Sequence, residues 1–293
     1  MAAPDCADTI SQVGIRLKTS ERVRGPVNRS GEVKGILFDL DGVLYTGDAA
    51  IDGAADVIAW CIDESIPHLF LTNTTSRPVS ALVEKLAGFG INATQGDFMT
   101  PALSAGQWLR AKPGAKIALF IPEATRDEFA GFDQCEDESA QDVTAVIVGD
   151  LGEAWDFRTL NRAFRMLMNN TETSLLALGM TRYWRAEDGL RLDAAPFVKA
   201  LEHATGREAI VLGKPSREFY ASALARLGCS ADETVMIGDD IKGDIGGSQN
   251  AGIRGVLVKT GKFQPSDLEL DITPFDIIDS IRDLPDWWRS RQS

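Results

Sequence analysis

Residues 36–44 read Ile-Leu-Phe-Asp-Leu-Asp-Gly-Val-Leu, and the fold follows from how this run begins and ends. An apolar β-type segment over 33–38, broken only by Lys34 and Gly35, closes on two acids one residue apart, Asp39 and Asp41. Alternate residues of a strand share a face, so both carboxylates can aim at one spot just past the strand end. Two carboxylates held close repel each other unless a cation or a reaction uses them. Gly42 then lets the chain turn sharply. A calcium-type loop is the competing reading, but it requires more oxygen ligands nearby than this segment contains.

Outward from this stretch, strand-like and helix-like segments alternate. Strand patterns fall at 33–38, 68–72, 116–121, 143–148, 174–178, 209–212, 233–237 and 254–258. Helical patterns lie between them near 53–65, 77–89, 101–111, 155–169, 194–205, 216–228 and 242–251. Short unbroken apolar strands alternating with amphipathic helices predict an α/β fold with a doubly wound, Rossmann-like parallel sheet covered on both faces. Thr100 before Pro101 predicts a helix start, and Asp193 and Ser216 are further cap candidates. Ala-Lys-Pro-Gly at 111–114 and Thr-Gly-Arg at 205–207 look like linkers. The expected organisation is a disordered tail over 1–30, a core from 31–114 and 209–293, and an inserted α/β domain over 115–208.

The chain has 293 residues, enough for about two domains with cores of their own. No apolar run approaches the length of a membrane span. Lys and Arg number 30 against 43 Asp and Glu, a net charge of −13 that argues against nucleic-acid or anionic-membrane binding. Cys6, Cys61, Cys135 and Cys229 stand singly, the usage of reduced thiols in a cytoplasmic protein. His68 and His203 are the only histidines and read as structural, so a histidine-based mechanism is not expected. Residues 1–30 have no apolar core of the secretory kind; an organelle-targeting peptide is the weaker alternative to a tail.

The residues that follow four of the strands carry the chemistry. Asp39 and Asp41 follow the first, Thr72-Asn73-Thr74 ends the second, Gly213-Lys214-Pro215 follows the strand at 209–212, and Gly238-Asp239-Asp240 follows 233–237, with Asp244 one helical turn on. Ligands of open α/β sheets bind outside the carboxyl ends of the strands, so acid, hydroxyl, amine and acid converge on one rim. Any one of these pairs is common by chance; four in this order, each at a strand end, are not. Magnesium and phosphoryl chemistry is the use such a set suggests.

This pattern resembles the haloacid dehalogenase superfamily of aspartyl-phosphate hydrolases over roughly residues 33–262, in its subfamily with a large α/β cap. Gly-Lys-Pro-Ser (213–216), Met-Ile-Gly-Asp-Asp (236–240), Asp-Ile-Gly-Gly (244–247) and Lys-Thr-Gly-Lys-Phe (259–263) further resemble its phospholysine, phosphohistidine and inorganic pyrophosphate phosphatase group. That group carries Ser at the position of Asp41, so the acid here is a departure from it. The resemblance implies a Mg²⁺-dependent phosphatase acting on a small phosphorylated metabolite, a phospho-amino-acid side chain or pyrophosphate. It implies Asp39 as nucleophile, Asp41 as general acid and base, and Thr72 and Lys214 as phosphoryl-binding groups. Mg²⁺ would be held by Asp39, Asp41 through its carbonyl, and Asp239, with Asp244 orienting its waters; Asp240 is left open between a supporting role and a helix cap. Asn73 joins the substrate contacts, as do Arg182, Tyr183, Trp184 and Arg185, although the bland alternative for that quartet is a solvated loop with packed aromatics. A homodimer through the cap is a further implication of the resemblance.

Trp155, Phe157, Phe164, Met166 and Met168 are expected to form the core of the inserted domain, and Trp287-Trp288 to pack on the main core. Two other functions compete with hydrolysis. A phosphotransferase would use the same residues with another acceptor. A phosphoacceptor signalling protein shares the strand-end acid, Thr and Lys, but lacks an acid at the position of Asp41 and an inserted domain. A dinucleotide module is disfavoured because Asp39-Leu40-Asp41-Gly42 stands where Gly-x-Gly-x-x-Gly would be needed.

Overall fold

The computed structural model describes residues 32–186 and 189–291, with the side chains of 184–186 outside the description. The tail expected over 1–30 lies outside the described residues. β1 (Gly35–Asp39) is buried at every position, as a strand flanked on both edges and both faces must be. The hairpin β2 (Tyr45–Thr46) and β3 (Ala49–Ala50) follows the turn at Gly42. Then come α1 (Ala54–Asp63), β4 (His68–Leu71), α2 (Val79–Gly88), β5 (Phe98–Met99) and α3 (Pro101–Arg110). Thr100 caps α3: its hydroxyl accepts from the Leu103 N–H at 3.2 Å, and Pro101 takes the first helical position.

The chain next builds a second sheet. Its elements are β6 (Lys116–Phe120), β7 (Asp133–Gln134), β8 (Ala145–Val148), α4 (Phe157–Asn169) and β9 (Ser174–Ala177). An antiparallel hairpin of β10 (Tyr183–Ala186) and β11 (Gly189–Leu192), then α5 (Ala194–Thr205) and β12 (Ile210–Val211), complete it. Five strands pair in parallel in the order β12-β9-β8-β6-β7. This corrects the expected grouping of 209–212 with the main core. Ile210 and Val211 pair with Leu176 and Ala177 of β9, and the Leu212 N–H still donates to the Ala177 carbonyl, so the chain leaves the second sheet only after Leu212.

A second correction concerns α4. Its Ala163, Met166 and Leu167 face the sheet, while Phe157 is 84% and Met168 53% exposed. At about 100° per residue those two fall on the side of the helix opposite the buried stripe. Met166 is buried as expected, and Trp155 and Phe164 pack against the cluster half-buried.

The last third contains α6 (Arg217–Leu227), β13 (Thr234–Gly238), a π-helical turn over 241–246 that runs into α7 (Gly247–Asn250), β14 (Arg254–Val258), β15 (Asp276–Ile278) and α8 (Leu284–Arg289). Six strands form the main sheet, all parallel, in the order β15-β14-β13-β1-β4-β5. The chain winds outward from β1 to β5, then crosses back and winds the other way from β13 to β15. The direction reverses between β1 and β13, where a doubly wound sheet leaves its crevice. Trp287 and Trp288 are buried as expected, with Trp288 edge-on to Trp60 of α1 at 6.1 Å.

Candidate active site

β1 and β13 pair from Gly35 with Thr234 to Phe38 with Ile237, so Asp39 and Asp239 leave the sheet side by side at the reversal point. Asp39 is 6% exposed, Asp239 is fully buried, and Asp244 joins them from the π-helical turn at 1%. One oxygen from each of the three lies within 4.8 Å of the others. The Lys214 ammonium, 7% exposed, donates to Asp39 Oδ1 at 2.5 Å and to Asp244 Oδ1 at 2.8 Å. Three buried carboxylates against one ammonium leave an excess of negative charge that water cannot solvate. Burial, and then the charge of Asp39, push the carboxyls of both Asp244 and Asp239 upward. Burial pulls on the Lys214 ammonium in the other direction, but Asp244 and Asp39 outweigh it and the net shift is up, so the cation persists.

Asp239 is held by the loop after β14. Its Oδ2 accepts the Lys262 N–H at 2.6 Å, and the Thr260 hydroxyl donates to the Gly42 carbonyl at 2.5 Å, which draws the loop onto the Asp41–Gly42 turn. Two glycines make this approach possible. A Cβ at Gly42 (φ +91°) would stand 2.0 Å from Asp239 Oδ2, and one at Gly261 (φ +58°) 2.1 Å from it. Asp239 Oδ1, by contrast, is buried without a hydrogen-bond partner among the described residues. Asp244 Oδ2 accepts the Asp240 N–H at 3.1 Å, and the Tyr220 hydroxyl donates to the Asp244 and Gly243 carbonyls, fixing the turn from beneath. Asp240 makes the contacts of a helix cap. Its Oδ1 accepts the N–H groups of Lys242 at 3.0 Å and Gly243 at 2.8 Å, so it caps the turn, with the Lys262 ammonium 3.6 Å from Oδ2.

Asp41 stands apart from the three-acid cluster, exposed at the mouth, where the Gly42 N–H donates to the Tyr45 carbonyl and closes the turn. Partial burial and then the charge of Asp39 raise its pKa, while Lys262 and Lys85 pull it back. Thr72, 6% exposed at the end of β4, accepts the Thr74 N–H at 3.1 Å and donates to the Thr74 hydroxyl at 3.0 Å. Asn73 places its carboxamide against the backbone of Lys214 at both ends. Thr75 reaches the inserted domain, its hydroxyl accepting the Asp150 N–H at 3.3 Å.

The residues present fit a magnesium ion. The donors are hard oxygens, one of them is a buried carboxylate oxygen without a partner, and the local charge is short of cations. Asp39, Asp239 and Asp244 are the side chains that would hold it; the Asp41 carboxylate is not among the clustered oxygens.

The structure brings Asp39, Thr72, Asn73, Lys214, Asp239 and Asp244 onto one rim. Arg182 and Tyr183 are exposed at the start of the β10 hairpin, where the Arg182 guanidinium lies 5.7 Å from the Tyr183 ring centre. Trp184 and Arg185 have side chains outside the described residues. Sequence reasoning missed Tyr220, Thr260 and Lys262 as site residues. The last two had a signal, since Lys-Thr-Gly-Lys directly follows β14 and so falls on the same rim; Tyr220 had none.

Comparison with known proteins agrees with this geometry. A family profile described as haloacid dehalogenase-like hydrolase matches residues 36–135, and a related profile of HAD-like hydrolases matches 211–284. A phospholysine phosphohistidine inorganic pyrophosphate phosphatase from Bos taurus is 39% identical over 243 residues, 82% of this chain and 87% of that protein. A haloacid dehalogenase-like hydrolase domain-containing protein 2 from Bos taurus is 37% identical over 80% of this chain and 87% of its own length. The solved structure of a p-nitrophenyl phosphatase from Archaeoglobus fulgidus superimposes with a TM-score of 0.79 at 25% identity, over 88% of this chain and all of that one. With one relative this similar over most of both chains, and the acids, Thr72 and Lys214 gathered at the sheet's reversal point, the chain belongs to the haloacid dehalogenase-like hydrolases and is an enzyme of their phosphatase type.

Proposed function

We propose that the protein is a Mg²⁺-dependent phosphatase that hydrolyses a small phosphorylated metabolite, a phospho-amino-acid side chain or pyrophosphate through a phosphorylated Asp39. The observation that carries this reading is the Lys214 ammonium seated between Asp39 and Asp244, beside the partnerless Oδ1 of Asp239. Asp39, Asp239 and Asp244 would hold a magnesium ion, whose positive charge would offset the carboxylates and the phosphoryl oxygens. Asp39 is the buried carboxylate at the end of β1, paired with the Lys214 ammonium, and its oxygen attacks phosphorus in line with the leaving group. The bond from phosphorus to the leaving atom breaks as Asp41 transfers its proton to that atom. The upward shift of the Asp41 carboxyl favours the protonated form this step needs. Asp41, now a carboxylate, takes a proton from the water that attacks the phosphoaspartate, which releases inorganic phosphate and restores Asp39. Thr72 and Lys214 hold the phosphoryl oxygens, and Lys214 counters the charge that grows on them.

The relatives named for phospholysine, phosphohistidine and pyrophosphate support the substrate classes. Purified protein assayed with Mg²⁺ on phosphoesters, phosphoramidates and pyrophosphate should release phosphate. Asp39→Asn should retain the fold by circular dichroism and lose turnover. Turnover that persists in Asp39→Asn, or in excess EDTA, would exclude the mechanism.

A further inference from the structure

Lys214 is presented in an unusual way for a residue of the main site. The strand before it, β12, belongs to the second sheet, so no strand of the main sheet carries Lys214 to its place. Asn73 does the work that strand pairing would otherwise do. Its Oδ1 accepts the Lys214 N–H at 2.7 Å, and its Nδ2 donates to the Lys214 carbonyl at 2.9 Å, across 141 positions of sequence. An amide oxygen can only accept and an amide nitrogen only donate, so one orientation of the carboxamide satisfies both partners. The side chain thereby copies the two-bond exchange of a β-pair. Gly213 is shaped around this contact: a Cβ there would lie 2.8 Å from Asn73 Oδ1 and 2.7 Å from the Leu178 carbonyl. Asn73 also directly follows Thr72, so the end of β4 sets both the hydroxyl and the amine of the phosphoryl cradle.

We infer that Asn73 is a positioning residue for Lys214, and that its carboxamide, not a substrate contact, is what the reaction requires of it. The inference rests on the phosphatase reading for its kinetic consequence, but its structural content stands independently. Misplacing a catalytic group by about 1 Å costs on the order of 100-fold in rate. Lys214 acts on the transferring phosphoryl group and leaves the rest of the substrate untouched. Its displacement should therefore lower kcat by the same factor whatever the leaving group.

The test compares wild type with Asn73→Ala on p-nitrophenyl phosphate and on pyrophosphate, with amide hydrogen exchange followed at Lys214. The expected result is a fall in kcat of about 10- to 100-fold on both substrates with KM close to wild type. Exchange at the Lys214 amide should accelerate while the melting transition is retained. A rise in KM with kcat kept, or a loss confined to one substrate, would mean that Asn73 touches substrate and would overturn the inference. So would unchanged exchange at Lys214. Should wild type turn over neither compound, those two are excluded as substrates of the proposed phosphatase, and the exchange experiment still decides the brace. Where Asn73→Ala does not fold, Asn73→Asp keeps the acceptor for the Lys214 N–H but sets a carboxylate oxygen against the Lys214 carbonyl in place of the donor. It should likewise lower kcat on both substrates and speed exchange at Lys214, and wild-type kinetics in that variant would overturn the inference.

Discussion

A methyl group at Gly261 would stand 2.1 Å from Asp239 Oδ2 and 2.4 Å from the Gly42 Cα, in a backbone conformation (φ +58°) that side chains rarely adopt. The two glycines and the Lys262 N–H thus decide where Asp239 points, and Asp239 Oδ1 is the oxygen left free for a cation. Gly261→Ala should lower stability by about 1–3 kcal/mol in urea unfolding, from steric conflict and the positive φ together. It should also weaken Mg²⁺ binding by about 10- to 100-fold in calorimetric titration, as loss of support around a metal ligand does. Unchanged Mg²⁺ affinity would show that the loop does not orient Asp239. At this scale the sequence was most legible where a residue's chemistry is its function: Asp39, Lys214 and Asp239 announce themselves after apolar strands. The contact of Asn73 with the Lys214 backbone spans 141 positions and leaves no local signal.

α8 is attached to the edge of the main sheet through Asp276 of β15. The Trp287 indole N–H donates to Asp276 Oδ2 at 2.8 Å, and the Arg291 guanidinium donates to the same oxygen. Burial pushes the Asp276 carboxyl up, but the Trp287, Ile277 and Arg291 donors outweigh it and the net shift is downward. A carboxyl lowered by folding stabilises the native state above its unfolded pKa. That contribution is lost as the pH falls through the depressed native value. Asp276→Ala should therefore destabilise the protein at neutral pH, by an amount that shrinks as the solution is acidified through and below the ordinary carboxylate range. Urea titrations followed by tryptophan emission at a series of pH values measure this; a pH-independent cost would mean that the ionised carboxyl is not what holds α8. Elements themselves were largely legible, because β1, β4, β13 and β14 are unbroken apolar runs between amphipathic helices. The exceptions are short: the edge strands β5 and β15, of two and three residues, show no strand pattern, and β12 is two half-buried residues with no periodicity to show which sheet they join. The outward turn of Phe157 and Met168 likewise depends on which side of α4 the second sheet packs, and an amphipathic pattern that carries apolar residues on both edges does not settle that.

Across the whole molecule, a net charge of −13 surrounds a site meant for an anion. A phosphorylated substrate approaches against this field, which salt screens over a Debye length of about 10 Å at 0.1 M. Raising NaCl from about 0.01 to about 0.15 M should therefore lower KM for a dianionic substrate and leave kcat unchanged. A KM that rises with salt would mean that local cations such as Lys262 and Lys85 dominate the approach. The amino-acid order alone determined that a parallel α/β sheet forms and that acids, a hydroxyl and an amine emerge beyond its strands. Those features depend on side-chain periodicity and on what directly follows each strand, both of which are local. Only the tertiary structure decided that Lys214 arrives from the second sheet and is braced by Asn73, and that the loop at 260–262 clamps Asp239. Each depends on contacts between residues that are not neighbours in the chain, Asn73 with Lys214, Lys262 with Asp239 and Thr260 with Gly42, and local side-chain patterns carry no record of them.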